Sequence, residues 1–138
     1  MFGIFGKFKR KRRIDAEAEK GAYQAWTFGP ALLNDDGTAI TDFSGISKRM
    51  ENKNPRSAIG YYEPGHYCLV LVDGRSKGYS CGMTMEELSE LFEELGCSTA
   101  YNLDGGKSSV MTFQDEIVNQ PYEGGRESSD CILIKEAE

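Results

Sequence analysis

The sequence predicts an α+β fold, with a mixed, strand-rich sheet and one clear amphipathic helix packed on it. Three observations lead to this prediction. Sixteen glycines among 138 residues indicate many tight turns, which are more typical of connected strands than of a helical bundle. A single long stretch, at about 84–95, has helical spacing of its apolar residues. Apolar runs at 67–72 and 99–103 flank this helix, which is the order expected of a β-α-β crossover.

Length and charge indicate one domain preceded by a basic tail. A chain of 138 residues suffices for a single hydrophobic core. Residues 1–13 carry six Lys and Arg and no acid, so the rest of the chain carries ten bases and 22 acids. We therefore divide the chain into a tail and linker at 1–21 and a domain at 22–138. An acidic domain argues against nucleic-acid binding, because phosphate contacts need clustered cations.

The basic tail allows two interpretations. Its aromatic and basic residues suit contact with an anionic membrane surface, and they equally suit a solvated chain terminus. The tail lacks the apolar core of a signal peptide. No stretch approaches the ~20 apolar residues of a membrane span. The sequence therefore leaves localisation open.

The four cysteines favour reduced thiols over a metal site. They form no Cys-x-x-Cys pair, and a single histidine, His66, accompanies them, so a zinc site is not predicted. Cys68 and Cys131 lie within apolar runs and are expected to be buried.

Two hairpins are predicted in the first half of the domain. The first joins strands at 22–33 and 39–43 through the turn at 34–37. The second joins strands at 57–62 and 67–72 through Glu63-Pro64-Gly65. The run at 67–72 is almost continuously apolar, which is typical of a strand buried on both faces.

The helix at 84–95 carries its own start and stop signals. Thr84 and Glu87 have the spacing of a capping box, and Gly96 supplies a residue suited to ending the helix. One face of the helix is apolar and is expected to pack on the sheet. This face is formed by Met85, Leu88, Leu91, Phe92 and Leu95.

Shorter strands are predicted after the helix. The run at 99–103 is expected to be a strand, followed by a hairpin of 110–113 and 116–119 around Gln114-Asp115. A glycine- and serine-containing loop at 122–129 precedes a closing strand at 131–134.

The stretch at 101–109, Tyr-Asn-Leu-Asp-Gly-Gly-Lys-Ser-Ser, is the main candidate for a functional site. Gly105 and Gly106 allow a sharp turn whose backbone N–H groups a ligand can approach. Asp104 adds a carboxylate, Lys107 a cation, and the two serines add hydroxyl groups. This combination suits a small, oxygen-rich ligand, although a polar turn without a ligand has the same composition.

The crossover adds a second carboxylate to this site. If the strands at 67–72 and 99–103 are parallel, Asp73-Gly74 and Asp104-Gly105 follow them at the same edge of the sheet, where α/β proteins bind ligands. Paired carboxylates suit acid–base work on a sugar bond, and Arg56, Arg75 and Lys107 are the cations available to bind a phosphate. Two carboxylates are too few to indicate Ca²⁺ or Mg²⁺, so no metal or other cofactor is predicted. Asp-Gly is also a common turn dipeptide.

Several short motifs occur in a fixed order along the chain. They include Asn-Pro-Arg-Ser-Ala-Ile-Gly at 54–60, Val-Asp-Gly-Arg at 72–75 and Asn-Leu-Asp-Gly-Gly-Lys-Ser-Ser at 102–109; others lie at 26–32, 82–88, 119–121 and 127–133. This series resembles the phosphodiester glycosidase family over about residues 22–134. It implies hydrolysis of a sugar linked through phosphate, with a carbohydrate-phosphate substrate. Matching positions suggest the site residues Arg56, Asp73, Asn102, Asp104, Gly105, Gly106, Ser108 and Ser109.

From their chemistry, we assign Asp104 and Asp73 as candidate catalytic residues. The candidate substrate-binding residues are Arg56, Asn102, Gly105, Gly106, Lys107, Ser108, Ser109 and Arg75.

The family usually has a third glycine where Lys107 stands. Its members also carry a further N-terminal portion in the place of 1–21, so we expect part of the usual sheet and site to be absent. Family members are often exported. Two functions stay open: a phosphodiester glycosidase, and a non-catalytic glycan-binding or protein-interaction module. Strand edges left exposed by the absent portion would favour a homo-oligomer.

Overall fold

A three-stranded sheet and one long helix organise the fold. The computed structural model describes residues 19–21, 26 and 28–134. The predicted tail therefore lies outside the described residues except for 19–21. In chain order the elements are α1 (Lys48–Glu51), β1 (Arg56–Glu63), β2 (His66–Val72), α2 (Met85–Glu94), β3 (Thr99–Asn102), a 3-10 turn (Gly106–Ser108), β4 (Thr112–Phe113), β5 (Glu116–Ile117) and a second 3-10 turn (Tyr122–Gly124).

The sheet has the strand order β2-β1-β3, and both outer strands are antiparallel to β1. β2 and β3 consequently run in the same direction, with α2 joining them and β1 between them. The predicted α+β fold and the crossover are thus confirmed. Both carboxyl ends, together with the amino end of β1, lie at one edge of the sheet.

The segment at 29–33 extends the sheet beyond β3. The Gly29 N–H donates to the Asn102 carbonyl over 3.1 Å, and the Asn102 N–H donates to the Pro30 carbonyl over 3.0 Å. The Gly29–Pro30 peptide bond is cis. The predicted first hairpin is reduced to a bridge between Leu33 and Ala39, and part of its first strand, at 22–25 and 27, lies outside the described residues.

Helix α2 forms where the sequence predicts it. The Thr84 side chain accepts from the Glu87 N–H and the Glu87 carboxylate accepts from the Thr84 N–H, so the capping box is present. Gly96 has a φ of 73°, which suits the residue that ends a helix. The helix packs on one sheet face, forming a core of Leu32, Leu33, Phe43, Ala58, Met85, Leu88, Phe92, Cys97 and Ala100. Leu95, expected on this face, is instead exposed.

The expectation that β2 is buried on both faces is wrong. Tyr67 is 47% exposed and Leu69 36% exposed, on the face opposite α2. The reason is topological: α2 covers a single face of the sheet, and among the described residues β2 pairs only with β1. A continuous apolar run does not distinguish this edge strand from an interior one.

The C-terminal part has less regular structure than predicted. The hairpin around Gln114-Asp115 is present but short, and both turn residues have positive φ. The predicted strand at 131–134 is wrong, because this segment has no regular structure, and Cys131 is exposed. All four cysteines are free thiols, as expected, and Cys68 is half-buried. No helix within the described ranges has the length and apolar character needed to cross a bilayer.

Candidate active site at one edge of the sheet

The two Asp-Gly turns pack against opposite ends of the same residue, Pro55. A Cβ built on Gly74 would lie 2.8 Å from the Pro55 nitrogen, and one on Gly105 would lie 2.5 Å from the Pro55 carbonyl oxygen. Real Cβ contacts are almost never this short, so both glycines are required for close backbone packing. Gly82 completes the junction, because its Cβ would lie 2.3 Å from the Asn54 oxygen. The sequence therefore brings both turns together around Asn54-Pro55.

Asp73 is held by three hydrogen-bond donors. Its Oδ1 accepts from Asn119 Nδ2 over 2.8 Å. Its Oδ2 accepts from the Gln120 N–H over 2.9 Å and from the Tyr79 hydroxyl over 3.0 Å. Burial alone would raise the pKa of Asp73, but these hydrogen bonds outweigh it and lower the pKa below its ordinary value. Asp73 is therefore a fixed carboxylate.

Asp104 lies in a more open position, with its side chain 44% exposed. Its Oδ2 accepts from the Ser108 hydroxyl over 2.7 Å and pairs with Arg126 Nη2 at 2.5 Å. Arg126 Nε also donates to Ser108 Oγ over 2.7 Å, which closes a three-residue ring. Within the described part of the chain, Oδ1 of Asp104 has no hydrogen-bond partner. Asp104 is thus a partly exposed carboxylate with one oxygen that has no described partner.

Asn119 links the two turns. Besides Asp73, its Nδ2 donates to the Ser109 carbonyl over 3.0 Å, and its Oδ1 accepts from the Met111 N–H over 2.9 Å. One side chain therefore ties the Asp73 turn to the segment that follows Asp104. Residue-level prediction missed this residue, although the Asn-Gln-Pro motif at 119–121 was a signal available in the sequence.

Arg56, predicted to bind phosphate, is buried and donates hydrogen bonds to backbone carbonyl groups. It is 4% exposed, and its Nε donates to the Met83 carbonyl over 2.9 Å. Its Nη2 donates to the carbonyls of Met50 and Asn52, each over 2.9 Å. Burial and the neighbouring Arg75 lower the pKa of Arg56. These contacts hold the chain around α1 against the sheet edge and leave Arg56 poorly placed to bind an external anion.

Arg75 is the predicted cation that faces the glycine turn. Its Nε and Nη2 both donate to Asn54 Oδ1, over 3.1 and 2.5 Å. Its guanidinium lies 5.2 Å from the centre of the Tyr122 ring. Its Nη1 would lie 3.7 Å from a Cβ on Gly106. No ion pair joins Arg75 to a carboxylate among the described residues, so its positive charge lies beside the turn without a directly bonded counter-ion there.

The rest of the predicted turn divides into structural and accessible groups. The Gly106 N–H donates to the Pro55 carbonyl over 3.0 Å. Ser109 is 1% exposed and its hydroxyl lies 3.2 Å from that of Ser57, so it is part of the packing. Lys107 forms an ion pair with Glu123 on the surface. Of the predicted groups in the turn, Asp104 and Ser108 therefore remain accessible together.

Asn102 has an unusual environment. It is 2% exposed, and its Nδ2 donates to the Gly29 carbonyl over 2.9 Å. Its buried Oδ1 has no hydrogen-bond partner among the residues that the structure describes. A buried acceptor of this kind normally finds a donor, so Asn102 retains an unused acceptor two residues before Asp104.

The site can provide carboxylates and cations but no evident metal centre. No cluster of three or more potential metal ligands occurs in the described ranges.

Five residues contact the site but were not predicted from the sequence: Tyr79, Asn119, Gln120, Tyr122 and Arg126. All five lie outside the predicted site stretch, and apart from the Asn-Gln-Pro motif at 119–121 their local sequence carries no sign of their partners. An edge with one enclosed and one accessible carboxylate and two arginines suits a ligand that has both hydroxyl groups and an anionic group.

Comparison with known proteins identifies the family of this chain. The model of a family described as phosphodiester glycosidase matches residues 5–135. This chain belongs to the phosphodiester glycosidase family. An SPbeta prophage-derived uncharacterized protein, YomE, from Bacillus subtilis is 33% identical over 115 residues.

Two solved structures are also similar. A hypothetical protein from Synechocystis is 25% identical, with a TM-score of 0.57 over 71% of this chain. A putative exported protein from Burkholderia pseudomallei is 38% identical over 50% of this chain, with a TM-score of 0.47. The chain covers 18% of YomE, 18% of the Synechocystis protein and 13% of the Burkholderia protein. It therefore corresponds to less than a fifth of each of these proteins.

Proposed function

We propose that this chain hydrolyses the bond between the anomeric carbon of a sugar and the oxygen of a phosphodiester. Water supplies a hydroxyl group to the anomeric carbon, and the other product is a phosphate monoester. The observation that carries the proposal is that Asp73, a carboxylate of lowered pKa, and Asp104, which is paired with Arg126, follow strands that end at one edge of the sheet, where Arg75 lies near Gly106.

The state of the carboxylates favours a phosphate leaving group. Hydrolysis of an ordinary glycoside needs a carboxylic acid of raised pKa to protonate the departing alkoxide. Asp73 has a lowered pKa and is therefore not arranged as such an acid, and Oδ2 of Asp104 is bonded to Arg126 and Ser108. A phosphate monoester departs as a stable anion and needs little protonation, since its second pKa is about 6.

In this proposal Asp104 acts on the substrate and Asp73 orders the site. The free Oδ1 of Asp104 either attacks the anomeric carbon or accepts a proton from the attacking water. Asp73 holds the segment at 119–120 through Asn119 and Gln120. Arg75, fixed by Asn54, contributes positive charge for the phosphate.

A panel of chromogenic substrates tests the proposal. Purified protein is incubated with sugar phosphodiesters, with alkyl glycosides of the same sugars, and with dinitrophenyl glycosides, whose leaving group also departs without a proton. We expect hydrolysis of phosphodiesters, weaker hydrolysis of dinitrophenyl glycosides and none of alkyl glycosides. Asp104→Asn should abolish activity, whereas Asp35→Asn, an exposed control, should retain it. Preference for alkyl glycosides would overturn the leaving-group argument.

A second candidate function is sugar-phosphate binding without hydrolysis. The observation that favours it is the bridge from Arg126 and Ser108 to Oδ2 of Asp104, which occupies half of this carboxylate. The Asp104→Asn variant separates the two functions. If the chain is an enzyme, the variant should lose hydrolysis of the sugar phosphodiester. If the chain is a binding module, the variant should keep much of its affinity for the sugar phosphate.

A further inference from the structure

Arg126 is a candidate specificity residue that lies outside the predicted set. It belongs to the loop after the second 3-10 turn, and its side chain is 53% exposed. Its contacts among the described residues are confined to the side chains of Asp104 and Ser108. A guanidinium has five N–H groups, and these two contacts use two of them. Arg126 therefore keeps donors available next to the proposed catalytic carboxylate.

Backbone packing places this arginine. Gly125 has a φ of 83°, and a Cβ built there would lie 3.0 Å from Val110 Cγ2. The loop can therefore approach the segment after the glycine turn closely only because residue 125 is glycine. The consequence is that Arg126 reaches back across the turn to Asp104.

Charge gives Arg126 a specific importance for an anionic substrate. When the anomeric carbon of the sugar lies beside Asp104, the attached phosphodiester comes close to this carboxylate. Both groups are negatively charged, so they repel each other. Arg126 neutralises that charge and offers N–H groups for bidentate contact with a phosphate oxygen pair. Of the other predicted cations, Arg56 is buried on backbone carbonyls and Lys107 is paired with Glu123, while Arg75 is bonded to Asn54 and contributes its charge from beside Gly106.

We infer that Arg126 selects phosphate-linked sugars over uncharged ones by binding the phosphodiester group while it shields Asp104. This inference rests on the proposed function. Because Arg126 is proposed to recognise the charge of the substrate, its replacement should affect charged substrates more than uncharged ones. Loss of the fold or of the catalytic carboxylate would affect both kinds of substrate.

The kinetic test compares charged and uncharged substrates that share an easily departing leaving group. For Arg126→Gln we expect KM for the sugar phosphodiester to rise about tenfold or more, the range of one lost charge-assisted hydrogen bond. KM for the dinitrophenyl glycoside of the same sugar should stay within about twofold. Arg126→Lys should restore part of the affinity, and Arg126→Glu should lose more. Arg49→Gln, which removes one exposed cation from α1, is the matched control.

A binding test keeps the inference separate from the proposed reaction. Inorganic phosphate is titrated into the full chain and its Arg126→Gln and Arg49→Gln variants, with backbone amide shifts followed by NMR, and urea unfolding confirms that each variant is folded. We expect shifts near 104–109 in the parent and the Arg49 variant, and a strong loss in Arg126→Gln.

The combined outcomes are unambiguous. If the parent hydrolyses phosphodiesters and Arg126→Gln changes both substrates equally, the proposed function stands and the inference fails. If the parent hydrolyses nothing but its phosphate binding depends on Arg126, the anion-binding role stands and the proposed function fails. Phosphate binding that is equal in the parent and Arg126→Gln overturns the inference in either case.

Discussion

The two Asp-Gly turns at the sheet edge have the same dipeptide and different environments. Both follow strands that run in one direction, and both glycines pack against Pro55. Asp73 is enclosed by three donors, whereas Asp104 is 44% exposed and has one oxygen free of described partners. One turn therefore holds the site together and the other presents a reactive group.

The difference arises from what covers each turn. The segment at 119–120 and Tyr79 lie over the first turn and saturate its carboxylate. Over the second turn lies the exposed Arg126, which contacts the carboxylate from one side. Identical local sequence therefore carries either a structural or a chemical role according to which distant segment packs on it.

The largest expected effect separates the two carboxylates by activity. Asp104→Asn should lower kcat at least about a thousandfold, within the range of a lost proton-transfer or nucleophilic group, and change stability little. Asp73→Asn should lower kcat less and destabilise the fold, because Asn cannot accept all three donors. Steady-state kinetics and urea unfolding on both variants check this. Equal losses of kcat with equal losses of stability would remove the distinction between the turns.

The next effect tests what the turns share. Gly74→Ala and Gly105→Ala should each reduce the free energy of unfolding by about 1–3 kcal/mol, because the new methyl group overlaps the Pro55 backbone. Gly45→Ala is the control, since a Cβ there meets nothing within 4 Å. Urea denaturation measures all three variants. If either turn glycine tolerates alanine as well as Gly45 does, its close packing on Pro55 is not important for stability.

A smaller effect depends on pH. Because the folded-state pKa of Asp73 is lowered, its stabilisation is present above the unfolded pKa and is lost as pH falls toward the folded value. The difference in unfolding free energy between the parent and Asp73→Asn should be about 1–2 kcal/mol at pH 7 and shrink below about pH 4. A difference that stays constant across the acid range would contradict the assignment.

The smallest effect concerns the surface pair beside the second turn. Lys107 and Glu123 have side chains 43% and 54% exposed, so solvent screens their ion pair and it should contribute little to stability. Lys107→Ala should therefore change stability about as little as Lys53→Ala, which breaks another exposed pair. Thermal unfolding at low and high salt compares them. A marked rise in KM for the phosphodiester in Lys107→Ala would give this residue a substrate-binding role.

Local sequence predicts the regular elements well. The hairpin of β1 and β2 follows from two apolar runs around Glu63-Pro64-Gly65, and α2 follows from its helical period and capping box. These signals succeed because turns, caps and amphipathic faces depend on residues within a few positions. The exposed face of β2 and the missing strand at 131–134 were not predictable in this way, since they depend on what packs beside them.

The sequence by itself determined that two aspartates follow two strands of the same direction and reach one edge of the sheet. Only the tertiary structure decided their roles. Asn119 approaches Asp73 from 46 residues away, Arg126 approaches Asp104 from 22 residues away, and Arg56 turns inward to backbone carbonyls. The physical reason is that the charge state and accessibility of a carboxylate depend on the donors and solvent around it, which come from segments distant in the chain.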